Sequence, residues 1–206
     1  VLGTTQIVNP LGIKVTRKDH TLEISGNNIC KHEVPLELGG LYRTATMVMG
    51  PLLARFGKAI VPNPGGCRLG KRPVDWHIQA LEKMGARITY KNGFFFGETK
   101  QLHGAMVTFP KNSHTGTEAI ILAAVLAEGK TIIENGALEP EVDDLINLLN
   151  KMGARIKRNL RTVTITGVKK LHGVSYSIMP DRNEAVTYAI GAIATKGDVI
   201  LIGTQR

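Results

Sequence analysis

The hexapeptide KMGARI occurs twice in this chain, at residues 83–88 and again 68 positions on, at residues 151–156. Long-range self-similarity constrains a fold more tightly than composition does, because each copy must build the same supersecondary unit. The surroundings repeat too. Leu102-His103-Gly104 returns as Leu171-His172-Gly173, and Pro110 as Pro180. Residues 126–129 (LAEG), followed by the apolar Thr131-Ile132-Ile133, return as residues 194–197 (ATKG), followed by Val199-Ile200-Leu201. A weaker third copy opens the chain. Leu11-Gly12-Ile13-Lys14-Val15 matches the MGARI box, and Phe56-Gly57-Lys58-Ala59-Ile60 matches the helix-to-strand junction.

Each copy predicts one order of elements. A helix ends at a glycine, which suits the left-handed position after a helix C-terminus. A short β-branched strand follows, then a second helix ending at the MGARI box, then two strands joined by a tight turn such as Lys91-Asn92-Gly93. The two helix classes differ. Residues 117–126 (TEAIILAAVL), 44–56 and 185–194 are apolar on nearly every side, which demands burial all round. Residues 75–84 and 141–152 mix charged and apolar positions at helical spacing and belong nearer the surface. Sheets wrapped around buried helices invert the usual layering. The expectation is an α/β fold of repeated βαβαββ-type units, an inside-out α/β barrel.

Composition narrows the classes of function. The 206 residues are 43% hydrophobic, enough for a sizeable core. No apolar run approaches the roughly 20 residues that cross a bilayer, and the first ten residues lack a signal-peptide pattern. Two cysteines, Cys30 and Cys67, make no disulfide framework, so a reducing cytoplasm is the default. The net charge of +9 admits nucleic acid, an anionic membrane surface or small anionic ligands. The basic clusters are short (Arg68, Lys71 and Arg72; Arg155, Lys157, Arg158 and Arg161) and not interleaved with aromatics, which favours small phosphorylated ligands. The histidines show no metal-ligand spacing, so neither a metal nor a cofactor is expected.

Residues 62–77, PNPGGCRLGKRPVDWH, carry the chemistry. Prolines and glycines keep the stretch irregular up to Arg72. Cys67 stands among Arg68, Lys71 and Arg72, a setting that lowers a thiol pKa and makes it reactive; the competing reading is a small apolar core cysteine. Pro73 and Asp75 suit a helix's first turn, whose free N–H groups also bind anions.

This block, continued as IQALEKMGARI, resembles the PGGC-x-x-G-x-RPVD-x-H signature of the UDP-N-acetylglucosamine 1-carboxyvinyltransferase family. Residues 50–57 (GPLLARFG) and 126–145 (LAEGKTIIENGALEPEVDDL) are similar to further family segments, and the likeness runs along nearly the whole chain. It implies the enolpyruvyl transferase fold and transfer of the enolpyruvyl group of phosphoenolpyruvate to the sugar 3-hydroxyl of UDP-N-acetylglucosamine, an early step of cell-wall precursor synthesis. Cys67 becomes the proton donor and the target of the epoxide fosfomycin, uses that suit a low-pKa thiol. Arg72 reaches ligand phosphate, for which a guanidinium fork is apt. Pro73, Val74, Asp75 and Trp76 form the uridine segment, with Asp75 accepting the uracil imide N–H and Trp76 replacing an aliphatic residue. Arg43 matches an arginine near the sugar nucleotide, although Gly39-Gly40-Leu41-Tyr42 departs from the family's K-T-M. Lys111, Asn112, Ser113 and His114 match the segment that binds UDP, with Asn112 and His114 in place of apolar residues. Asp181-Arg182 matches a motif at the junction of two domains and is assigned no chemistry. Glu139 and Glu141 read as first-turn carboxylates.

The family chain is about twice as long. Residues 1–179 are expected to be the first domain without its N-terminal part, and residues 180–206 the start of the second. The remainder of the same enzyme is then a required partner, and the chain alone is expected to turn over little or no substrate. Three alternatives have different signatures. A transferase acting on shikimate phosphate lacks, as a rule, the cysteine loop. A basic RNA-processing module of related fold needs a continuous basic stripe. A non-catalytic UDP-sugar-binding domain has an unreactive Cys67.

Overall fold

In a computed structural model the described residues are 2–65 and 74–204. They form two compact units, Val1–Gly173 and Val174–Arg206.

The repeat boxes do in space what they announce in sequence. Gly12, Gly85 and Gly153 adopt φ of 98°, 95° and 96°. A side chain there would be strained, so the glycine of each box lets the chain leave a helix and turn into a strand. The helices that end at these boxes are α1 (Leu2–Val8, extended by a 3-10 turn), α4 (Asp75–Lys83) and α6 (Pro140–Lys151). The hairpins that follow are β1 (Lys14–Lys18) with β2 (Thr21–Ser25), β4 (Arg87–Lys91) with β5 (Phe94–Glu98), and β8 (Arg155–Asn159) with β9 (Thr162–Thr166). Each hairpin turns on a residue at φ 51°: Asp19, Asn92 and Leu160.

The central strands are β3 (Lys58–Pro62) and β7 (Lys130–Glu134). β3 pairs antiparallel with β5, giving the order β3-β5-β4. β7 pairs antiparallel with β9 and parallel with β6 (Met106–Thr108), giving β6-β7-β9-β8. A parallel bridge from Glu33 to Ile60 stands where β6 stands in the other sheet. β1 and β2 form a two-stranded sheet of their own.

Between the sheets lie the apolar helices. α5 (His114–Ala124) buries seven of its residues, and α3 (Met49–Phe56) buries Met49, Gly50, Leu52 and Leu53. Gly50 lets the two meet: a Cβ there would fall 2.7 Å from that of Ala123. Inward strand positions such as Val61, Ile133, Val163 and Ile165 complete the core, while the opposite strand faces meet solvent. Helices inside and sheets outside are the layering expected.

Three expectations need correction. The helix over 44–56 is not α throughout: Arg43–Val48 is 3-10 and α begins only at Met49. Pro51 is the cause, because it cannot donate to residue 47 and its ring crowds that carbonyl. The helix expected over 185–194 exists as α7 (Arg182–Thr195) but buries no residue; Ile193 is 79% exposed. The strand expected at 199–201 does not form. A strand needs a ladder partner, and α7 is the only regular element among the described residues of its unit. Between these, α2 (Leu36–Gly39) joins the first edge to the 3-10 helix.

Candidate functional site

Cys67, Arg72 and Pro73 lie outside the described residues. The other candidates fall at the starts of three elements. Arg43 opens the 3-10 helix, behind Tyr42, whose hydroxyl donates to Gln6 Oε1 at 3.1 Å. Val74, buried, is the residue before α4; exposed Asp75 and half-buried Trp76 are its first two. Exposed Lys111 and Asn112 lead into Ser113, the N-cap of α5, with His114 first in that helix.

The α5 start is built from local bonds. Ser113 Oγ accepts from the Gly116 N–H at 3.2 Å, which meets one of the helix's orphan donors. The Thr117 hydroxyl, fully buried, donates to the Ser113 carbonyl at 2.8 Å and accepts from the Ala137 N–H at 3.0 Å. That second bond ties α5 to the segment entering α6, as does Asn112 Nδ2 donating to Glu139 Oε1 at 3.2 Å. Glu139 is the residue before α6 and Glu141 lies in its first turn, the helix-starting places expected of them. Thr117→Val keeps the shape and strands the Ala137 N–H. A loss of about 2 kcal/mol is expected, read from the urea midpoint; an unchanged midpoint would remove this link from the account.

One carboxylate–imidazole pair distinguishes the corner. His114 Nε2 stands 3.2 Å from Glu118 Oε1, an ion-pair contact without hydrogen-bond geometry. Burial raises the Glu118 pKa; His114 opposes that rise, and Glu141 and Glu139 add to it.

His77 is the residue sequence reasoning missed. In the sequence it is one of several histidines without metal-ligand spacing. It is 4% exposed, and neither ring nitrogen makes a well-formed hydrogen bond among the described residues. Burial, with the Arg43 charge acting in the same direction, lowers its pKa to about 4; the Thr115 backbone opposes this. One buried imidazole thus feels both Arg43 and the first turn of α5 from within α4, two residues past Asp75. Three candidate segments separated by tens of residues converge there. A neutral imidazole beside a fixed cation and the positive end of a helix makes an anion-receptive corner without adding charge of its own. The only sequence signal was position, since His77 closes the PGGC–RPVD block.

The model of the family described as EPSP synthase (3-phosphoshikimate 1-carboxyvinyltransferase) matches residues 1–206. Similar curated proteins include the UDP-N-acetylglucosamine 1-carboxyvinyltransferase of Hydrogenovibrio crunogenus, 46% identical over 97% of this chain and 48% of its own length. A protein of the same name from the Wolbachia of Drosophila simulans is 48% identical, over 95% of this chain and 46% of its own. The chain therefore spans about half the length of the curated relatives it matches. Among solved structures, the enolpyruvyl transferase NikO from Streptomyces tendae superposes with a TM-score of 0.79 at 18% identity, over 91% of this chain and 45% of that one. An EPSP synthase from Acinetobacter baumannii gives 0.68 at 23%, over 93% and 44%. At such identities the shared property is the fold.

Proposed function

The chain belongs to the EPSP synthase (3-phosphoshikimate 1-carboxyvinyltransferase) family, and on that premise we propose that it is the thiol-bearing, sugar-nucleotide half of an enolpyruvyl transferase acting on UDP-N-acetylglucosamine in the cytoplasm. The observation that carries the reading is the corner around His77. The start of α4, Arg43 and the α5 start meet there, immediately downstream in sequence of the Cys67 loop. Relatives at 46–48% identity that carry the name UDP-N-acetylglucosamine 1-carboxyvinyltransferase support the choice of acceptor over shikimate phosphate.

In this reading the sugar 3-hydroxyl oxygen adds to C2 of phosphoenolpyruvate, its proton passing to a base in the remainder of the enzyme, while the Cys67 thiol delivers a proton to C3, giving a tetrahedral ketal. Loss of a C3 proton and of phosphate from C2 restores the double bond on the sugar. Arg43, Arg72 and the α5 start hold the diphosphate, each offering donors to anionic oxygen. Asp75 reads the uracil, with Pro73, Val74 and Trp76 shaping its slot. Lys111, Asn112, Ser113 and His114 line the nucleotide side. Residues 180–206 are the start of a second domain of the longer enzyme. The product feeds peptidoglycan synthesis.

The test is covalent labelling by fosfomycin, followed by intact mass with and without UDP-N-acetylglucosamine. The expected result is one adduct on Cys67, none on exposed Cys30, and faster labelling when the sugar nucleotide is present. Labelling at both cysteines alike, or none at Cys67 in the chain and in its full-length form, would overturn the assignment.

A further inference from the structure

The two larger sheets repeat one another, and the repeat exposes a missing charge. In the first, cross-strand register places Glu98 of β5 between Lys58 of β3 and Arg87 of β4, all three exposed. In the second, the same three positions are Lys130 of β7, Thr166 of β9 and Arg155 of β8. Two cations flank a carboxylate in one copy and a hydroxyl in the other. Direct cross-strand neighbours share a face at about 5 Å, so the second ladder holds two like charges with nothing between them to offset their repulsion.

A third cation adds to it. Lys157 lies two residues along β8 from Arg155, about 7 Å on, opposite Thr164. A concave groove of about 570 Å³ runs over this face, lined by Lys130, Arg155, Lys157, Thr164 and Thr166 among others, with no carboxylate among its described lining residues. The other two cations of the same basic cluster are already engaged. Arg158 pairs with Asp143 at 2.9 Å and Arg161 Nη1 donates to the Gly136 carbonyl at 3.3 Å. Lys130, Arg155 and Lys157 enter no ion pair among the described residues. The groove floor is fixed, because the Asn150 amide both donates to and accepts from the Ile156 backbone, at 3.0 and 2.9 Å.

We infer that this groove binds a diphosphate-class oxyanion, one phosphoryl group lying over Thr166 between Lys130 and Arg155 and the other over Thr164 beside Lys157. The ligand supplies the negative charge that Glu98 supplies in the equivalent ladder. The groove volume is that of a small-ligand site, not of an extended polymer track. None of the residues assigned to the sugar-nucleotide corner takes part, so this site is separate from the proposed activity.

The probe is inorganic pyrophosphate at fixed ionic strength, which removes general screening. For half-filling near about 1 mM, 10 mM pyrophosphate raises the folded-to-unfolded ratio about tenfold and Tm by about 4 °C. Amide shifts in NMR concentrate at Lys130, Thr164 and Thr166. Thr166→Glu restores the carboxylate of the sister ladder; it unfolds at or above the wild-type temperature without ligand and loses both responses. Arg155→Leu loses the response as well. An equal response in Thr166→Glu, or a wild-type rise no larger than that in chloride of the same ionic strength, overturns the site. Single-stranded RNA that binds the groove and resists displacement by pyrophosphate also overturns it, in favour of a nucleic-acid surface.

Discussion

Phe109→Ala is expected to cost about 3–5 kcal/mol, lowering Tm by about 10 °C, and to weaken UDP-N-acetylglucosamine binding although the ring touches no ligand. Phe109 is 2% exposed and among the largest fully buried side chains. Its Cε1 atom lies 3.1 Å from where a Cβ on Gly116 would stand, so the ring lies against the first turn of α5. Its backbone locks the same corner: the N–H donates to the Glu134 carbonyl at 3.2 Å, and its carbonyl accepts from Asn135 Nδ2 at 2.8 Å. Truncation therefore opens a cavity directly beneath the Ser113 cap. Phe109→Leu fills most of it and should cost about a third as much. Differential scanning calorimetry gives the stability and titration calorimetry the affinity. A drop below about 1 kcal/mol for the alanine variant would show that the α5 start rests on something else.

Acid should unfold this protein partly through one residue. The His77 ring has a folded pKa of about 4 against 6.5 in the unfolded chain. Between those values the unfolded chain takes up a proton that the folded chain refuses. Stability contributed by this group is thus fully present above pH 6.5 and is lost as pH falls through the window, by up to about 3 kcal/mol at pH 4. Glu118 acts in the opposite sense. Its folded pKa is raised, so the stability it contributes is present at low pH and declines as pH rises past 4.5. The variant His77→Phe isolates the first effect. It keeps a ring of similar shape and removes two buried nitrogens that make no well-formed hydrogen bond among the described residues, so it is expected to be neutral or mildly stabilising at pH 7. Urea midpoints at pH 7, 5.5 and 4 should fall steeply for the wild type and more gently for His77→Phe. Parallel slopes would place the acid sensitivity on other groups.

What the chain's own letters determined is local. Gly12, Gly85 and Gly153 take their left-handed turns, Pro51 tightens the helix before it, and Ser113 caps α5. Each depends on a few neighbouring bonds and a steric limit that operate wherever the residue stands. The order of elements followed, because the repeat stated it three times. The PGGC–RPVD block pointed to a site, although residues 66–73 lie outside the described structure. Only the tertiary structure decided what depends on neighbours remote in sequence. Helix α7 carries an apolar run over residues 185–194 yet buries none of it, since burial is a property of what surrounds a helix and not of the helix. His77 looked like any other histidine until folding buried it against Arg43 and Thr115. Glu98 and Thr166 become comparable only once register makes them the same rung of two sheets. Electrostatic energy depends on distance through space, and a linear sequence holds no such distances until the chain has closed on itself.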